Sequence, residues 1–172
     1  MIPDPGVTEV NMGGRIIPRS VVSTPTSAAA FTDAIQFIAE GGNILFGVTF
    51  DVAKFAKTAP SNAVLPAWRD GIFDAVFGSP IDMISTEANV EAQKRIVKVF
   101  ESKLEALTPG GGAYLNEAPL RLPHWKEAFF GKNYDRLAKI KRRYDADGIL
   151  YGTASVGSDS WEVKDDGRLC RA

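Results

Sequence analysis

The sequence predicts an α+β fold, in which helices cover one face of an antiparallel sheet. Apolar residues recur at helical spacing over residues 31–38 and 86–107, whereas residues 44–51 alternate strictly between two sets of side chains. A period near 3.6 residues marks an amphipathic helix, and a period of two marks a half-buried strand. We count three or four strands, one of them interrupted by proline, in a chain of 172 residues.

The first half of the chain alternates between the two patterns. Residues 1–14 carry proline and glycine with little periodicity, so we expect an arm or loop there. An apolar stripe at i, i+3, i+4 and i+7 from Phe31 predicts a helix that Gly41 ends. The strand predicted at 44–51 has two candidate pocket-lining faces, which are Phe46, Val48 and Phe50 on one side and Leu45, Gly47 and Thr49 on the other.

Further elements follow from the same rules. Residues 64–68 contain Pro66 and predict an edge or irregular strand, since proline cannot donate to a ladder. Residues 72–77 predict another strand. Helices are expected over 86–107, which a proline and three glycines end, over 123–130, and from an Asn133 cap through Tyr144.

Composition excludes several classes of function. The formal net charge is -1 with mixed signs, so neither a nucleic acid nor an anionic membrane is the expected partner. No segment has the apolar length of a membrane helix or the features of a signal peptide, so a cytoplasmic location is the default expectation. One cysteine and one histidine make a disulfide within the chain impossible and a zinc site unexpected.

The segment 113–117, AYLNE, presents the most informative side chains. In a locally extended stretch Tyr114 and Asn116 point the same way, while Leu115 and Glu117 point the other way. A phenol can act as a base where hydrogen bonds or positive charge lower its pKa from about 10. A carboxamide carries both donors and an acceptor. Neighbouring glycines would let a flat ligand approach the backbone closely.

Five segments together resemble the berberine-bridge-enzyme-like, vanillyl-alcohol-oxidase-type FAD-linked oxidoreductases, in particular the fungal members. They are GRIIPRS at 14–20, NAVLPAWR at 62–69, AYLNE at 113–117, GKNYDRL at 131–137 and GSDSWEVKDDGRLC at 157–170. The resemblance implies the carboxy-terminal half of such an enzyme. Residues 1–112 would be part of the substrate domain, and residues 113–172 the carboxy-terminal segment that contacts flavin.

The resemblance also implies roles for four residues. Tyr114 would be catalytic, and Asn116, Asn133 and Tyr134 would contact FAD. The opening of a helix at Asn133 is independently suited to a ribityl or phosphate group. His124 does not correspond to the family's covalent flavin anchor, which lies in the FAD domain, so a capping or surface role is expected for it.

The FAD-binding domain of the family is missing from the sequence. Gly110 to Gly112 terminate a helix and do not form a phosphate cradle between a strand and a helix. The fold would therefore be incomplete without a partner, and the chain alone should bind FAD weakly or not at all. Three explanations stay open: one subunit of a split enzyme, a fragment of a longer chain, or a truncated relic.

The leading hypothesis is the small subunit of a heterodimeric FAD-dependent oxidoreductase. Its partner chain would carry most of the FAD-binding groups, and the pair would oxidise or oxidatively cyclise a small organic metabolite. Such obligate interfaces bury more than about 2,000 Å². The alternatives are a non-catalytic stabilising or regulatory partner of an FAD oxidase and a standalone small-molecule-binding domain.

Overall fold

A three-stranded antiparallel sheet, with strand order β1-β3-β2, organises the protein. The computed structural model describes residues 10–56, 58, 60–119, 121–164 and 166–172. The strands are β1 (Val10–Pro18), β2 (Ile44–Thr49) and β3 (Gly71–Pro80). The predicted α+β class, with helices on one face of an antiparallel sheet, is confirmed.

Strand β1 corrects the expected arm at residues 1–14. Residues 1–9 lie outside the described residues, but Val10–Pro18 pairs along its length with β3. The glycines were misleading because they serve close packing: a Cβ added at Gly13 would lie 2.6 Å from the Phe77 ring. Arg15 also hides the strand pattern, since its buried guanidinium donates from Nε to Thr108 Oγ1 at 2.7 Å.

Helices pack on one face of the sheet, and their bounds match most of the predicted periodicity. Helix α1 (Pro25–Glu40) is capped at its start by Thr24, whose hydroxyl accepts a hydrogen bond from the Ser27 backbone amide in a capping box. The short helix α2 (Ala53–Ala56) follows β2. The main core joins α1, β3 and the next long helix, and consists of Ala34, Ile38, Phe77, Ile96, Phe100 and Leu104.

The helix predicted over 86–107 is confirmed as one continuous helix that contains a π-helical turn in its middle. Helix α3 (Thr86–Arg95) passes through a π-helical turn (Ile96–Glu101) into α4 (Ser102–Leu107). The wider turn brings Ile96, Phe100 and Glu101 to the buried side. Glu101 is 1% exposed, and one of its oxygens accepts from the Gly14 amide at 2.6 Å. Burial raises the pKa of Glu101 to about 8.

A second core supports the chain beyond the glycine run. Helices α5 (Trp125–Phe130) and α6 (Tyr134–Tyr144) confirm the two expected there, and a short hairpin joins β4 (Trp161–Val163) to β5 (Leu169–Arg171). The core residues are Ala113, Ala118, Leu122, Ala128, Phe129 and Ala154.

Loop 113–118 lies against the sheet face opposite the helices. Its closest approach is at Gly14, where an added Cβ would lie 2.1 Å from the Glu117 backbone oxygen. A bridge between Ile16 and Gly112 leads the chain into this position, with the Ile16 amide donating to Gly112 at 2.8 Å. Gly14 is therefore a requirement for seating the loop on β1.

The expected strand at 64–68 is wrong. Pro66–Arg69 forms a 3-10 turn, because Pro66 sets the first φ and the Trp68 and Asp70 amides donate three residues back. Asn133 occupies the cap position of α6, as expected, but it does not cap the helix with its side chain. A 3-10 turn (Gly131–Asn133) leads into α6, and the Asn133 side chain makes no cap hydrogen bond.

Replacing Glu101 with glutamine should flatten the pH dependence of folding stability. The folded-state pKa of Glu101 is near 8, above its ordinary value of 4.5. The stability that protonated Glu101 contributes to the folded protein is therefore fully present at acidic pH and is lost as the pH rises from 4.5 to about 8. At about pH 9 we expect Glu101→Gln to have a free energy of unfolding higher than that of the wild type by on the order of a few kcal/mol, and therefore a higher unfolding temperature. Near pH 5 the two proteins should be equally stable. Thermal unfolding at both pH values measures this, and equal shifts at both would contradict it.

Replacing Gly14 with alanine should displace loop 113–118 from β1. The new methyl group meets backbone, which cannot rotate away, so we expect a loss of roughly 2–4 kcal/mol in the free energy of unfolding. Gly152→Ala is the control, since its nearest neighbour is the movable Ser155 hydroxyl at 2.8 Å. Denaturant unfolding of both variants checks this, and similar losses would show that Gly14 is not special.

Candidate functional site

Tyr114 and Asn116 are brought together by a direct hydrogen bond. The Asn116 side-chain amide donates to the Tyr114 hydroxyl at 2.8 Å. The alternation expected for an extended stretch does not apply, because Tyr114 is extended but Leu115–Glu117 forms a 3-10 turn. Tyr114 is 37% exposed, so its hydroxyl can be reached from outside while Asn116 holds its oxygen in place.

An aromatic row fixes the ring of Tyr114. Its edge meets Trp68 with ring centroids 5.6 Å apart, and Trp68 in turn lies 5.0 Å from Phe50 at the end of β2. Contacts of this geometry add stability beyond simple burial. Trp68, interpreted from the sequence as structural, therefore has the specific role of positioning Tyr114.

Two carboxyl groups beside this loop were missed by the sequence analysis. Asp74 in β3 is 3% exposed, and its Oδ1 accepts no hydrogen bond from the described residues. Its carboxyl lies close to that of Glu117, and the two can form a hydrogen bond when one of them carries a proton. Burial, followed by the hydrogen bond and the charge of Glu117, raises the pKa of Asp74 to about 7. The signal was present in the sequence, because Asp74 is the one charged residue in the apolar run 72–77.

Glu117 reaches Asp74 because of the 3-10 turn. An extended backbone would have sent Glu117 to the side opposite Tyr114 and Asn116, as the alternation predicted. In the structure the Glu117 amide also donates to the Tyr114 carbonyl at 2.9 Å. One short turn thus links the phenol, the carboxamide and the carboxyl pair.

The open face of the sheet identifies which side of β2 can line a pocket. Leu45 packs against the helix-side core, so the set Leu45, Gly47 and Thr49 is excluded as a pocket floor. Residues paired across strands share a face, which places Phe46 with Val76 and Val48 with Asp74. The face that holds Asp74 is therefore continuous with exposed apolar side chains of β2.

An open cleft of about 850 Å³ is lined by Asn116. Met12 of β1, Gln93 of α3 and Arg121 also line it, so its wall is partly apolar with a few polar groups. This mixture and size are typical of a site for an organic ligand. Asn116 thus faces the cleft while its amide is bonded to Tyr114.

Between two lining residues of this cleft lies the one non-glycine residue with positive φ among those the structure describes. Ala154 has φ of 56° and is 4% exposed, between the cleft-lining Thr153 and Ser155. This backbone conformation is unfavourable for alanine and is commonly retained where neighbouring groups must be aimed.

Asn133 and Tyr134 are placed differently from Tyr114 and Asn116. The Asn133 side-chain amide donates to the Val64 carbonyl at 2.9 Å, which ties the start of α6 to the 62–65 segment. The Tyr134 hydroxyl donates to Asp159 at 2.8 Å, and Lys126 donates to the same carboxylate at 2.7 Å. The side-chain nitrogen of Asn133 and the hydroxyl of Tyr134 are therefore engaged within the chain.

The remaining titratable groups offer less for chemistry. His124 is exposed at the start of α5 and makes no side-chain cap hydrogen bond, which agrees with a surface role. Among the residues described, no group of histidine, cysteine or carboxylate side chains could hold a metal ion. Within the same part of the chain, no helix has the length and apolar character to cross a bilayer.

The arrangement can orient an organic substrate and move a proton, and it can contact one edge of a flat cofactor. The Asn116 carbonyl oxygen has no partner among the described residues, so it can accept a hydrogen bond from a bound ring. Within the described residues no strand–glycine–helix element cradles a pyrophosphate. The residues present thus fit contact with a flavin ring but not retention of a whole FAD molecule.

Comparison with known proteins identifies the family that this chain resembles. Residues 113–157 match the family model described as berberine and berberine-like. The VAO-type flavoprotein oxidase VAO615 of Thermothelomyces thermophilus is 38% identical over 92% of this chain, which covers 28% of that protein. The bifunctional decalin synthase calF of Penicillium decumbens is 36% identical over 96% of this chain, which covers 29% of it.

A solved structure gives the same result in three dimensions. The crystal structure of the VAO-type flavoprotein MtVAO615 from Myceliophthora thermophila C1 matches 94% of this chain with a TM-score of 0.84 and 37% identity. The chain covers 30% of that protein and so spans less than a third of the relatives it matches. The chain is thus related over nearly its whole length to the berberine-bridge-enzyme-like, VAO-type FAD-linked oxidoreductases and corresponds to a carboxy-terminal portion of them.

Proposed function

We propose that this chain forms the substrate-side wall of an FAD-dependent oxidoreductase that oxidises a small organic metabolite. The observation that carries the proposal is the hydrogen bond between Tyr114 and Asn116, of which Asn116 lines the 850 Å³ cleft. The relatives, a flavoprotein oxidase and a decalin synthase among them, support the redox class, and the decalin synthase supports ring formation as one form of the reaction.

In this proposal Tyr114 is the catalytic group. Its oxygen would act as the base in the phenolate form and become the neutral hydroxyl on taking a proton from the substrate. The Asn116 side-chain amide, which donates to this oxygen, would stabilise the phenolate, and the edge contact with Trp68 holds the ring. FAD supplies the acceptor for the hydride when it is bound. The Asp74–Glu117 pair lies beneath the same loop and would keep Glu117, and with it the Tyr114 backbone, in place.

Asn116, Asn133 and Tyr134 are the proposed FAD contacts. Asn116 would use its unpartnered carbonyl oxygen, since its amide already donates to Tyr114. Contact at Asn133 would come through its side-chain oxygen or its backbone, because its side-chain nitrogen donates to the Val64 carbonyl. Contact at Tyr134 would come through ring or backbone atoms, because its hydroxyl donates to Asp159. We therefore assign the cofactor's ring edge to Asn116 and give the other two a supporting role.

The FAD-binding domain would come from polypeptide outside these 172 residues. We propose a partner chain, which makes this protein the small subunit of a heterodimer. Exposed apolar side chains support a large interface: Ile149 is 79% exposed, Leu150 75% and Met83 87%. In the alternative, the same polypeptide continues into the FAD domain.

Replacing Tyr114 with phenylalanine should lower kcat of the assembled enzyme by at least about 100-fold, because general-base catalysis is lost while ring packing against Trp68 is kept. FAD content and KM should stay within a few-fold of the wild type. Tyr144→Phe is the matched control, since Tyr144 is 77% exposed and far along α6. Unchanged turnover of the Tyr114 variant would instead support a non-catalytic stabilising or regulatory role.

The mass of the native protein separates the two arrangements. If the chain is a subunit, protein purified from its source should contain an 18.6 kDa polypeptide together with a second, FAD-carrying one. The complex should be yellow and the separated small chain colourless. A single yellow polypeptide about three times as large would contradict the partner-chain proposal.

A further inference from the structure

We propose that the substrate is an organic acid, an apolar molecule whose carboxylate binds to Arg121 in the 850 Å³ cleft. This inference rests on the proposed function, because it names the class of metabolite that the same site would oxidise. Its basis is the distribution of charge and of free hydrogen-bond donors along the cleft wall.

Arg121 is the only charged residue among the described residues that line the cleft, so no carboxylate of this wall competes with a bound anion. Its side chain is exposed and has no hydrogen-bond or ion-pair partner in the described part of the chain. A guanidinium presents its N–H donors in a planar fork that matches the two oxygens of a carboxylate. Arg121 is therefore free to bind the anionic group of a ligand in the cleft.

Two hydroxyl groups can complete the recognition of a carboxylate. Thr153 and Ser155 line the same cleft, and neither hydroxyl donates to another described residue. Between them lies the buried Ala154, whose φ of 56° is a conformation commonly retained where neighbouring groups must be aimed. The wall thus offers a ligand one cation and two neutral hydrogen-bond donors.

The rest of the wall is mainly apolar and selects the body of the ligand. Gln93 and Asn116 contribute uncharged amide groups, and the other lining residues are Met12, Val97, Leu115, Ala118 and Pro119. A sugar in this position would lose water from several hydroxyl groups without finding a partner for each, which is unfavourable. An aliphatic or aromatic skeleton with one charged end fits the wall better.

A carboxylate matches the charge of the cleft better than a phosphate does. One arginine balances the single negative charge of a carboxylate, whereas a phosphate monoester carries about -1.5 to -2 near neutral pH. A pyrophosphate, such as that of FAD, is typically held at the start of a helix. None of the α-helices in the described part of the chain begins at a residue that lines the cleft.

The cleft reaches the proposed catalytic group through Asn116. This side chain lines the cleft and donates to the Tyr114 hydroxyl oxygen at 2.8 Å. In this proposal the acid contacts Arg121 with its carboxylate and Asn116 with the end of the molecule that reacts. Arg121 binds and orients the substrate and takes no part in proton transfer.

Binding of trans-cinnamate and of its primary amide to the assembled, FAD-loaded enzyme tests the charge preference. The two probes have nearly the same size and shape, and only cinnamate carries a negative charge. We expect cinnamate to bind with a dissociation constant at least about tenfold lower, as titration calorimetry measures, and this preference to shrink as salt is raised. Equal dissociation constants, or no binding of cinnamate at about 10 mM, would overturn the proposal.

Substitution of Arg121 tests whether this residue causes the preference. Arg121→Met removes the charge and keeps an unbranched side chain, so cinnamate should bind about tenfold more weakly while the affinity for the amide changes little. Arg121→Lys keeps the charge and should restore part of the preference. Arg142→Met is the matched control and should leave the preference intact, since Arg142 is an exposed residue of α6 that does not line the cleft. Equal affinity of Arg121→Met and the wild type for cinnamate would overturn the assignment.

Two further outcomes separate the acid site from cofactor binding and from the proposed function. If Arg121→Met loses FAD, and its FAD-loaded form still prefers cinnamate, Arg121 binds the cofactor and the proposal is overturned. If Arg121→Met loses the preference while Tyr114→Phe turns over normally, the acid site is retained and the catalytic role of Tyr114 is refuted.

Discussion

The close approach of loop 113–118 to strand β1 is the constraint on which the site depends. At Gly14 the backbone of Glu117 occupies the space that a side chain would need, so the loop can pack on β1 only because residue 14 is glycine. That contact places Glu117 against Asp74 and holds the short turn that joins Tyr114 to Asn116. The candidate site is therefore built from two distant parts of the chain, and neither part makes it alone.

Two buried carboxyl groups, one on each side of the sheet, make this packing less stable when they ionise. Glu101 closes the outer edge of β1 from the helix side, and Asp74 lies beneath the loop on the other side, each with a raised pKa. Burial of an ionised carboxylate is unfavourable, so both groups favour folding when protonated.

Periodicity predicted most of the fold, and local backbone geometry accounts for most of what it missed. The long helix and strands β2 and β3 follow from regular apolar spacing, whereas β1 was hidden by glycines and by a buried arginine. Family motifs identified Tyr114 and Asn116, but only the 3-10 turn brings Glu117 to Asp74. Asn133 was expected to cap α6 and instead ties it to Val64, a contact between residues too far apart in sequence for local rules to predict.

The most direct test of the account is the position of Tyr114 relative to the flavin in a structure of the assembled, FAD-bound enzyme. If the chain forms the substrate-side wall, the Tyr114 hydroxyl should lie across the substrate space from the isoalloxazine ring, within about 4 Å of a bound substrate atom. The Asn116 carbonyl should then be near the ring edge. A Tyr114 hydroxyl separated from both substrate and flavin by other protein atoms would contradict the central claim.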